Sequence, residues 1–84
     1  MLDIEFKSQW NTPVSVGFDP SGVQMVKGPF DALELMAEKW PQMRGMQFVR
    51  ARSLCRAALD GRKTMEEARL QFEQAVREAQ SQIN

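Results

Sequence analysis

Histidine and tyrosine are absent from this 84-residue chain, and cysteine occurs only once. Histidine is the side chain that most often serves as a general acid or base near neutral pH, and it is the commonest metal ligand. The lone cysteine, Cys55, allows neither an intrachain disulfide nor a paired-thiol centre. These absences predict a protein that is not an enzyme and that holds no metal and no cofactor.

Long apolar runs are absent too. No stretch approaches the roughly 18 residues needed to span a bilayer, and residues 1–7 have neither the basic nor the apolar region of a secretory signal. A single unpaired cysteine is typical of a reducing compartment. We therefore expect a cytoplasmic protein without membrane contact, folded as one domain over residues 1–84.

Acidic and basic side chains balance, with 11 of each, but they are unevenly distributed. Residues 44–63 are strongly basic and lie between two segments of net negative charge. Such a segment can bind nucleic acid, or its cations can form ion pairs with the flanking acids. At 100° per residue Arg52 and Arg56 flank the apolar stripe of a predicted helix, whereas Arg50 lies nearly opposite that stripe. Because the arginines do not form one exposed strip and no aromatic side chains alternate with them, ion pairs are the preferred interpretation.

The first third of the chain has the alternating pattern of strands, from about residue 2 to residue 27. Apolar side chains alternate over residues 2–6, and Trp10, Val14, Val16 and Phe18 share one parity of residues 10–18. Asp-Pro-Ser-Gly at 19–22 then fits a type I turn and predicts a hairpin. The register stays open, because a two-residue loop and a three-residue loop with a bulge at Gly22 place opposite parities of the second strand on the core face.

Apolar residues at helical spacing predict three helices, over about 29–40, 46–60 and 65–81. The predicted buried stripes are Leu33, Met36, Ala37 and Trp40 on the first helix; Phe48, Ala51, Cys55, Ala58 and Leu59 on the second; and Met65, Ala68, Phe72, Ala75, Val76 and Ala79 on the third.

The expected helix boundaries have recognisable signals. Pro29 suits the first helical position, Pro41 ends the first helix, and Gly61 suits the end of the second. Thr64 and Glu67 have the spacing of a capping box at the start of the third. Strands followed by helices predict an α+β fold of two layers, in which a small antiparallel sheet containing the N-terminal hairpin packs against three helices.

Ordered landmarks along the chain resemble one family. They are Trp10-x-x-Pro13-Val14-x-Val16, Ala32-Leu33 leading to Trp40-Pro41, Ala51-x-x-x-Cys55-x-x-Ala58-Leu59-x-Gly61, and Ala68-x-x-x-Phe72-x-x-Ala75-x-x-Glu78-Ala79. Over about residues 10–79 this succession resembles the alphaproteobacterial family known as domain of unknown function 982. The resemblance implies a small bacterial protein of one domain, with no assigned activity, cofactor or catalytic residue. It therefore assigns no role to any residue of this chain.

The side chains that could carry chemistry have a structural interpretation as well. A catalytic thiol needs a basic or positively charged, partly exposed environment, whereas Cys55 falls on an apolar stripe and is expected to be buried and unreactive. Trp10 and Trp40 are expected to be core anchors whose indole N–H groups need partners. The helical carboxylates are expected to be solvated rather than paired in a pocket; they are Asp31, Glu34, Glu38, Glu66, Glu67, Glu73 and Glu78.

Methionine supplies the strongest indication of a partner surface. Six methionines are many for this length, and Met43 and Met46 bracket a predicted loop. Exposed methionine suits adaptable protein contacts, so Met43, Arg44, Met46 and Arg50 form the candidate partner surface. The preferred function is a non-catalytic protein–protein interaction module that also forms a symmetric homodimer. The alternative is a nucleic-acid-associated regulatory accessory that uses the basic segment 44–63.

Overall fold

The computed structural model describes residues 9–19, 22–41 and 44–83. In chain order its elements are β1 (Val14–Asp19), β2 (Gly22–Val26), α1 (Pro29–Glu38), α2 (Met46–Leu59) and α3 (Met65–Ile83). An antiparallel hairpin with three helices confirms the small α+β fold. The strand expected at residues 2–6 lies outside the described residues. None of the described helices has both the length and the apolar character required to cross a bilayer.

The hairpin has the register that follows from a two-residue connection. Asp19 pairs with Gly22, and Val14 pairs with Val26. An irregularity lies between Val16 and Asp19, where two residues of β1 oppose one residue of β2. Val26 is the buried residue of β2, and its other four residues are exposed.

The helix ends are explained by local sequence. α1 begins at Pro29 after the extended residue Gly28, and it ends at Glu38, two residues earlier than expected. α2 ends in a Schellman motif, in which the N–H groups of Gly61 and Arg62 bond to carbonyls of the last turn at 3.1 and 2.8 Å. Gly61 has φ 79°, a left-handed conformation that favours glycine.

The capping box of α3 is confirmed. The Glu67 N–H donates to Thr64 Oγ1 at 3.0 Å, and the Thr64 N–H donates to Glu67 Oε2 at 3.1 Å. The Thr64 backbone hydrogen bond lowers the pKa of the Glu67 carboxyl, and the Thr64 hydroxyl adds to this effect.

Aromatic rings from every layer meet in the core. Trp40 contacts Phe18 edge-on at 4.7 Å between ring centroids, and it lies 5.4 Å from Phe48 and 5.9 Å from Phe72. Trp10 packs against Phe72 at 5.7 Å. Both tryptophans are buried, which confirms them as core anchors. The indole N–H of Trp10 has no hydrogen-bond partner among the described residues, so its expected partner is not found there.

Two of the predicted stripes are corrected by the packing. α1 contacts both α2 and α3, so its buried side is centred on Ala32, Leu35 and Met36 rather than on Leu33 and Ala37. Ala37 is exposed and Leu33 is only half-buried. On α2 the terminal Leu59 is exposed, because the helix stops there, and Ala57 is buried instead. The stripe of α3 is as predicted, with Met65 partly buried at its start.

Candidate functional site

A groove runs between α1 and α2 and encloses about 350 Å³. Its apolar part comes from the side of α1 that the core leaves uncovered and from the edge of one ring on α2. Its charged part comes from three arginines. We call it the arginine groove, and its lining residues are Leu33, Met36, Ala37, Arg44, Phe48, Arg52 and Arg56.

Helix geometry explains why these side chains share one groove. Phe48, Arg52 and Arg56 follow one another at intervals of four residues, so they form one row along α2. Leu33 and Ala37 form the facing row on α1 at the same spacing. From Phe48 to Arg56 the row rises about 12 Å, since each helical residue adds about 1.5 Å. The groove is therefore about two helical turns long.

The arginines of the groove are not paired as the sequence suggested. Among the described residues the ion pairs join Arg62 to Asp60 at 3.0 Å, and Arg69 to Glu66 and Glu73 at 3.5 and 3.7 Å. The expected pairing of Arg50, Arg52 and Arg56 with the acidic flanks is therefore wrong for the part of the chain that the structure describes. The physical reason is geometric for α1, whose acidic side chains line a different depression, and Glu78 of α3 caps the start of α2 instead.

The carboxylates of α1 illustrate this separation. Asp31, Glu34 and Glu38 line a different depression, which lies beside β2 and also holds Lys27 and Lys39. None of the residues that line the arginine groove is acidic. The groove thus has three guanidinium groups at its border and an apolar floor.

Arg44 is positioned by an aromatic ring. Its guanidinium carbon lies 5.0 Å from the centroid of the Phe48 ring, within the range of a cation–π contact. Phe48 itself is buried, so its ring supports the cation without leaving a free stacking face. This contact holds Arg44 at the mouth of the groove.

The start of α2 is held by a residue from α3. Gly45 precedes α2 and supplies no side-chain cap. Glu78 supplies one instead: its carboxylate accepts the N–H groups of Gln47 and Phe48, each at 3.3 Å. A carboxylate is favourable there because the N-terminus of a helix carries partial positive charge. The Gln71 amide also donates to the Gln47 side chain at 2.6 Å.

Glu78 differs from the expectation that the helical carboxylates are solvated. It is half-buried and lies directly against Gly45, where an added Cβ would collide with its carboxylate. A glycine ahead of a helix that lacks its own capping side chain is the sequence signal that could have indicated a distant cap. It could not have identified which residue supplies it.

The four residues of the predicted partner surface do not all lie together. Arg44 belongs to the arginine groove. Met46 and Arg50 are exposed and do not line the groove, and Val49, which is also exposed, lies on α2 between them and the row of Arg52 and Arg56. Met46 and Val49 are 63% and 61% exposed. We call this second surface, formed by Met46, Val49 and Arg50, the outer face of α2. Met43 lies outside the described residues.

Cys55 is buried, as expected. Burial raises the pKa of its thiol to about 12, so the thiolate needed for nucleophilic or redox chemistry does not form near neutral pH. Among the described residues no group of histidine, cysteine or carboxylate side chains has the arrangement of a metal site.

A further depression, of about 500 Å³, lies between the hairpin and α1. Val16, Phe18 and Val23 form its hairpin side, and Leu35 and Lys39 form its helix side. It has one cation, on a long side chain, and no cluster of groups that could act on a substrate.

Comparison with known proteins identifies one family. The model of a family described as protein of unknown function (DUF982) matches residues 12–83. A search of curated proteins found no match, and a search of solved structures found none.

Proposed function

Because the chain belongs to the DUF982 family of proteins of unknown function, its role has to be inferred from its own surface, and we propose that it is a non-catalytic protein-binding module. Its binding site in this proposal is the arginine groove. The observation that carries the proposal is the combination of an apolar floor with three arginines that have no carboxylate partner among the described residues.

The composition of the groove supports a protein partner. Arginine and methionine are enriched in protein interfaces, because their long side chains cover apolar surface and the guanidinium donates several hydrogen bonds. Exposed residues such as Ala37, Arg52 and Arg56 open the groove to solvent, which suits a side chain of a partner better than an enclosed small molecule. Phe30, which is 62% exposed, extends the apolar row of α1 beyond Leu33 and Ala37.

The proposal also includes a second contact, between two copies of the chain. The outer face of α2 exposes Met46 and Val49 side by side, and a symmetric dimer would cover both. The module is proposed to work in the cytoplasm of an alphaproteobacterium, where a lone thiol such as Cys55 stays reduced.

Nucleic-acid binding is the competing interpretation of the same arginines. It is less favoured because Arg44, Arg52 and Arg56 border a concave apolar floor, whereas Arg50 does not line the groove. A duplex binder would present its cations together on a convex surface. If the segment did neutralise several phosphates, affinity would fall by roughly 0.9 log units per contact for each tenfold rise in salt.

The test is capture from native lysate followed by reconstitution. The full chain and two variants are immobilised, and bound polypeptides are identified by mass spectrometry after nuclease treatment. Ala37→Glu places a carboxylate in the groove at an exposed helical position, where it does not disturb the core. Arg50→Gln is the matched control, because it removes a cation from the same helix outside the groove.

We expect at least one polypeptide that the wild-type chain and Arg50→Gln retain and that Ala37→Glu loses. The purified polypeptide must then bind the purified chain with the same dependence. Capture that nuclease abolishes would favour the nucleic-acid interpretation. Capture that is equal for all three chains would exclude the groove as the binding site.

A further inference from the structure

We infer that the occupant of the arginine groove is an acidic amphipathic helix of another protein, with apolar anchors on one face and carboxylates flanking them. This inference rests on the proposed function, because it specifies the partner of the same groove. The dimensions of the groove, its positive charge and the cation–π contact that holds Arg44 favour this occupant.

The dimensions match a helix. Helix-in-groove recognition uses anchors at positions i, i+3, i+4 and i+7 of the bound helix, which cover about two turns. The row from Phe48 to Arg56 rises about 12 Å, which is also about two turns. The facing row of Leu33 and Ala37 gives the groove a second wall along the same direction. An extended strand would instead need an unpaired sheet edge, which this groove does not contain.

The positive charge of the groove determines which side chains the partner helix needs on either side of its apolar anchors. Three guanidinium groups border the groove, and none of its lining residues is acidic. A neutral or basic partner would cover these cations without pairing them, which costs desolvation energy. A carboxylate on each side of the apolar anchors can accept charge-assisted hydrogen bonds from Arg52 and Arg56, often two at once.

The groove is also partly pre-organised. Arg44 is held over Phe48 at 5.0 Å, and the first turn of α2 is held by Glu78 through the Gln47 and Phe48 N–H groups. Arg44 and the backbone of the first turn therefore need little ordering when a partner binds, which lowers the entropic cost of association. Arg44 lies at the Phe48 end of the groove, and Arg56 lies about two helical turns further along α2.

The test uses a synthetic peptide as the probe. A fluorescein-labelled helical peptide carries leucines at i, i+3, i+4 and i+7 and glutamates on the flanking positions. Matched peptides carry glutamine or lysine in place of every glutamate, or serine in place of every leucine. Binding to the full chain is measured by fluorescence anisotropy at two salt concentrations, and circular dichroism checks that each variant is folded.

We expect the acidic peptide to bind most tightly, the glutamine peptide about tenfold more weakly, and the lysine and serine peptides not at all. The double variant Arg52→Gln/Arg56→Gln should lose about tenfold in affinity for the acidic peptide but keep its affinity for the glutamine peptide. Arg77→Gln, which removes an exposed cation of α3 outside both surfaces, should bind as the wild type does. Ala37→Glu should bind neither peptide.

Several results would overturn the inference. Equal affinity for the acidic and glutamine peptides would show that charge plays no part. A gain in affinity after Ile4→Ser would show that the first residues of the same chain compete for the groove. Self-association that Ala37→Glu abolishes would show that the occupant is a second copy, and duplex DNA that displaces the peptide at near-physiological salt would show that it is nucleic acid.

The outcome is separable from that of the proposed function. If the peptide fails to bind but capture yields a polypeptide that Ala37→Glu loses, the inference is wrong and the protein-binding module stands. If the peptide binds as expected and its binding depends on Arg52 and Arg56, the acidic helix is supported directly. If both experiments fail, both proposals are wrong.

Discussion

Burial determines what Cys55 can do. Its side chain is fully covered on the core side of α2, and burial raises the pKa of the thiol from 9.0 to about 12. A neutral buried thiol packs as a small apolar group. The two neighbouring arginines, Arg52 and Arg56, point to the groove and do not offset this burial.

We predict that Cys55 reacts with a thiol reagent only when the chain unfolds. Labelling of the native protein should be slow, and labelling in concentrated urea should be fast. Cys55→Ala should cost about 1 kcal/mol in free energy of unfolding, because the cavity it leaves is small. Rapid labelling of the folded protein would contradict this prediction.

The same thiol should make stability depend on alkaline pH. The unfolded thiol loses its proton above pH 9.0 while the native thiol keeps its proton up to about pH 12. The contribution of Cys55 is therefore complete below pH 9.0 and is lost as pH rises. The wild-type free energy of unfolding, measured relative to Cys55→Ala, should fall by up to about 1.4 kcal/mol per pH unit in that range. Urea denaturation of both proteins at several pH values measures this, and parallel curves would contradict it.

Gly45 and Glu78 are in contact, so the effect of a substitution at one on the free energy of unfolding should depend on the residue present at the other. Gly45→Ala should destabilise the wild-type chain by about 1–3 kcal/mol, because the new methyl group meets the Glu78 carboxylate. Glu78→Ala should cost about 1–3 kcal/mol through the two hydrogen bonds it loses. In the double variant the alanine at 45 should be tolerated, since φ there is −91° and the space is vacant. Chemical denaturation of all four proteins gives the coupling, and simple additivity would contradict the contact.

At the level of elements, the helices differ in where their caps originate. α3 is capped by neighbours in sequence, Thr64 and Glu67. α2 is capped at its start by Glu78, which is 30 residues from Phe48, and at its end by the local Schellman motif at Gly61. The start of α2 therefore depends on a tertiary contact for its cap, whereas α3 carries its own initiation signal.

The capping box gives a prediction for α3. Thr64→Ala should lower the free energy of unfolding by about 1 kcal/mol, because the N–H of Glu67 loses its acceptor. The lowered pKa of Glu67 means that its contribution is present above the ordinary carboxyl range and is lost as pH falls through that range. Glu67→Gln should keep its helix but lose this pH dependence. Thermal unfolding of the three proteins between about pH 3 and pH 7 measures the effect, and an unchanged pH profile in Glu67→Gln would contradict it.

At the scale of the whole molecule, the packing of the helices determines which apolar side chains the core covers and which ones remain on the surface. The core takes Ala32, Leu35 and Met36 from α1, which leaves Leu33 and Ala37 to border the arginine groove. The outer face of α2 carries the exposed apolar side chains of Met46 and Val49. A domain of this size has a small core, so covering such surface adds appreciable stability.

We predict that the chain is a symmetric homodimer at about 50 µM, with about 800 Å² buried on each copy if the interface is of standard size. Val49→Glu should convert it to a monomer, because the carboxylate would be buried at the contact. Gln74→Glu adds the same charge at an exposed position of α3 and serves as the control. Light scattering with both variants tests the prediction. A monomeric wild type, or a dimer unaffected by Val49→Glu, would contradict it.

Sequence alone was sufficient for the features that depend on neighbours in the chain. The three helices, the capping box of Thr64 and Glu67, the end of α2 at Gly61 and the stripe of α3 follow from spacing and local hydrogen bonds. So does the burial of Cys55, since a cysteine flanked by Ala51 and Ala58 at helical spacing lies on the apolar side. These features involve residues within a few positions of each other, where backbone geometry leaves few alternatives.

Tertiary structure alone decided which surfaces were left uncovered. The register of β2, the exposure of Ala37 and the Glu78 cap depend on how elements far apart in sequence pack together, and periodicity specifies only that a face is apolar. The arginines show the same limit. Their sequence neighbours predicted ion pairs, but the helix orientations placed Arg44, Arg52 and Arg56 around an apolar groove, away from the carboxylates of α1. Because charge pairing needs the direction of each side chain as well as its sign, only the packing of α1 against α2 could determine it.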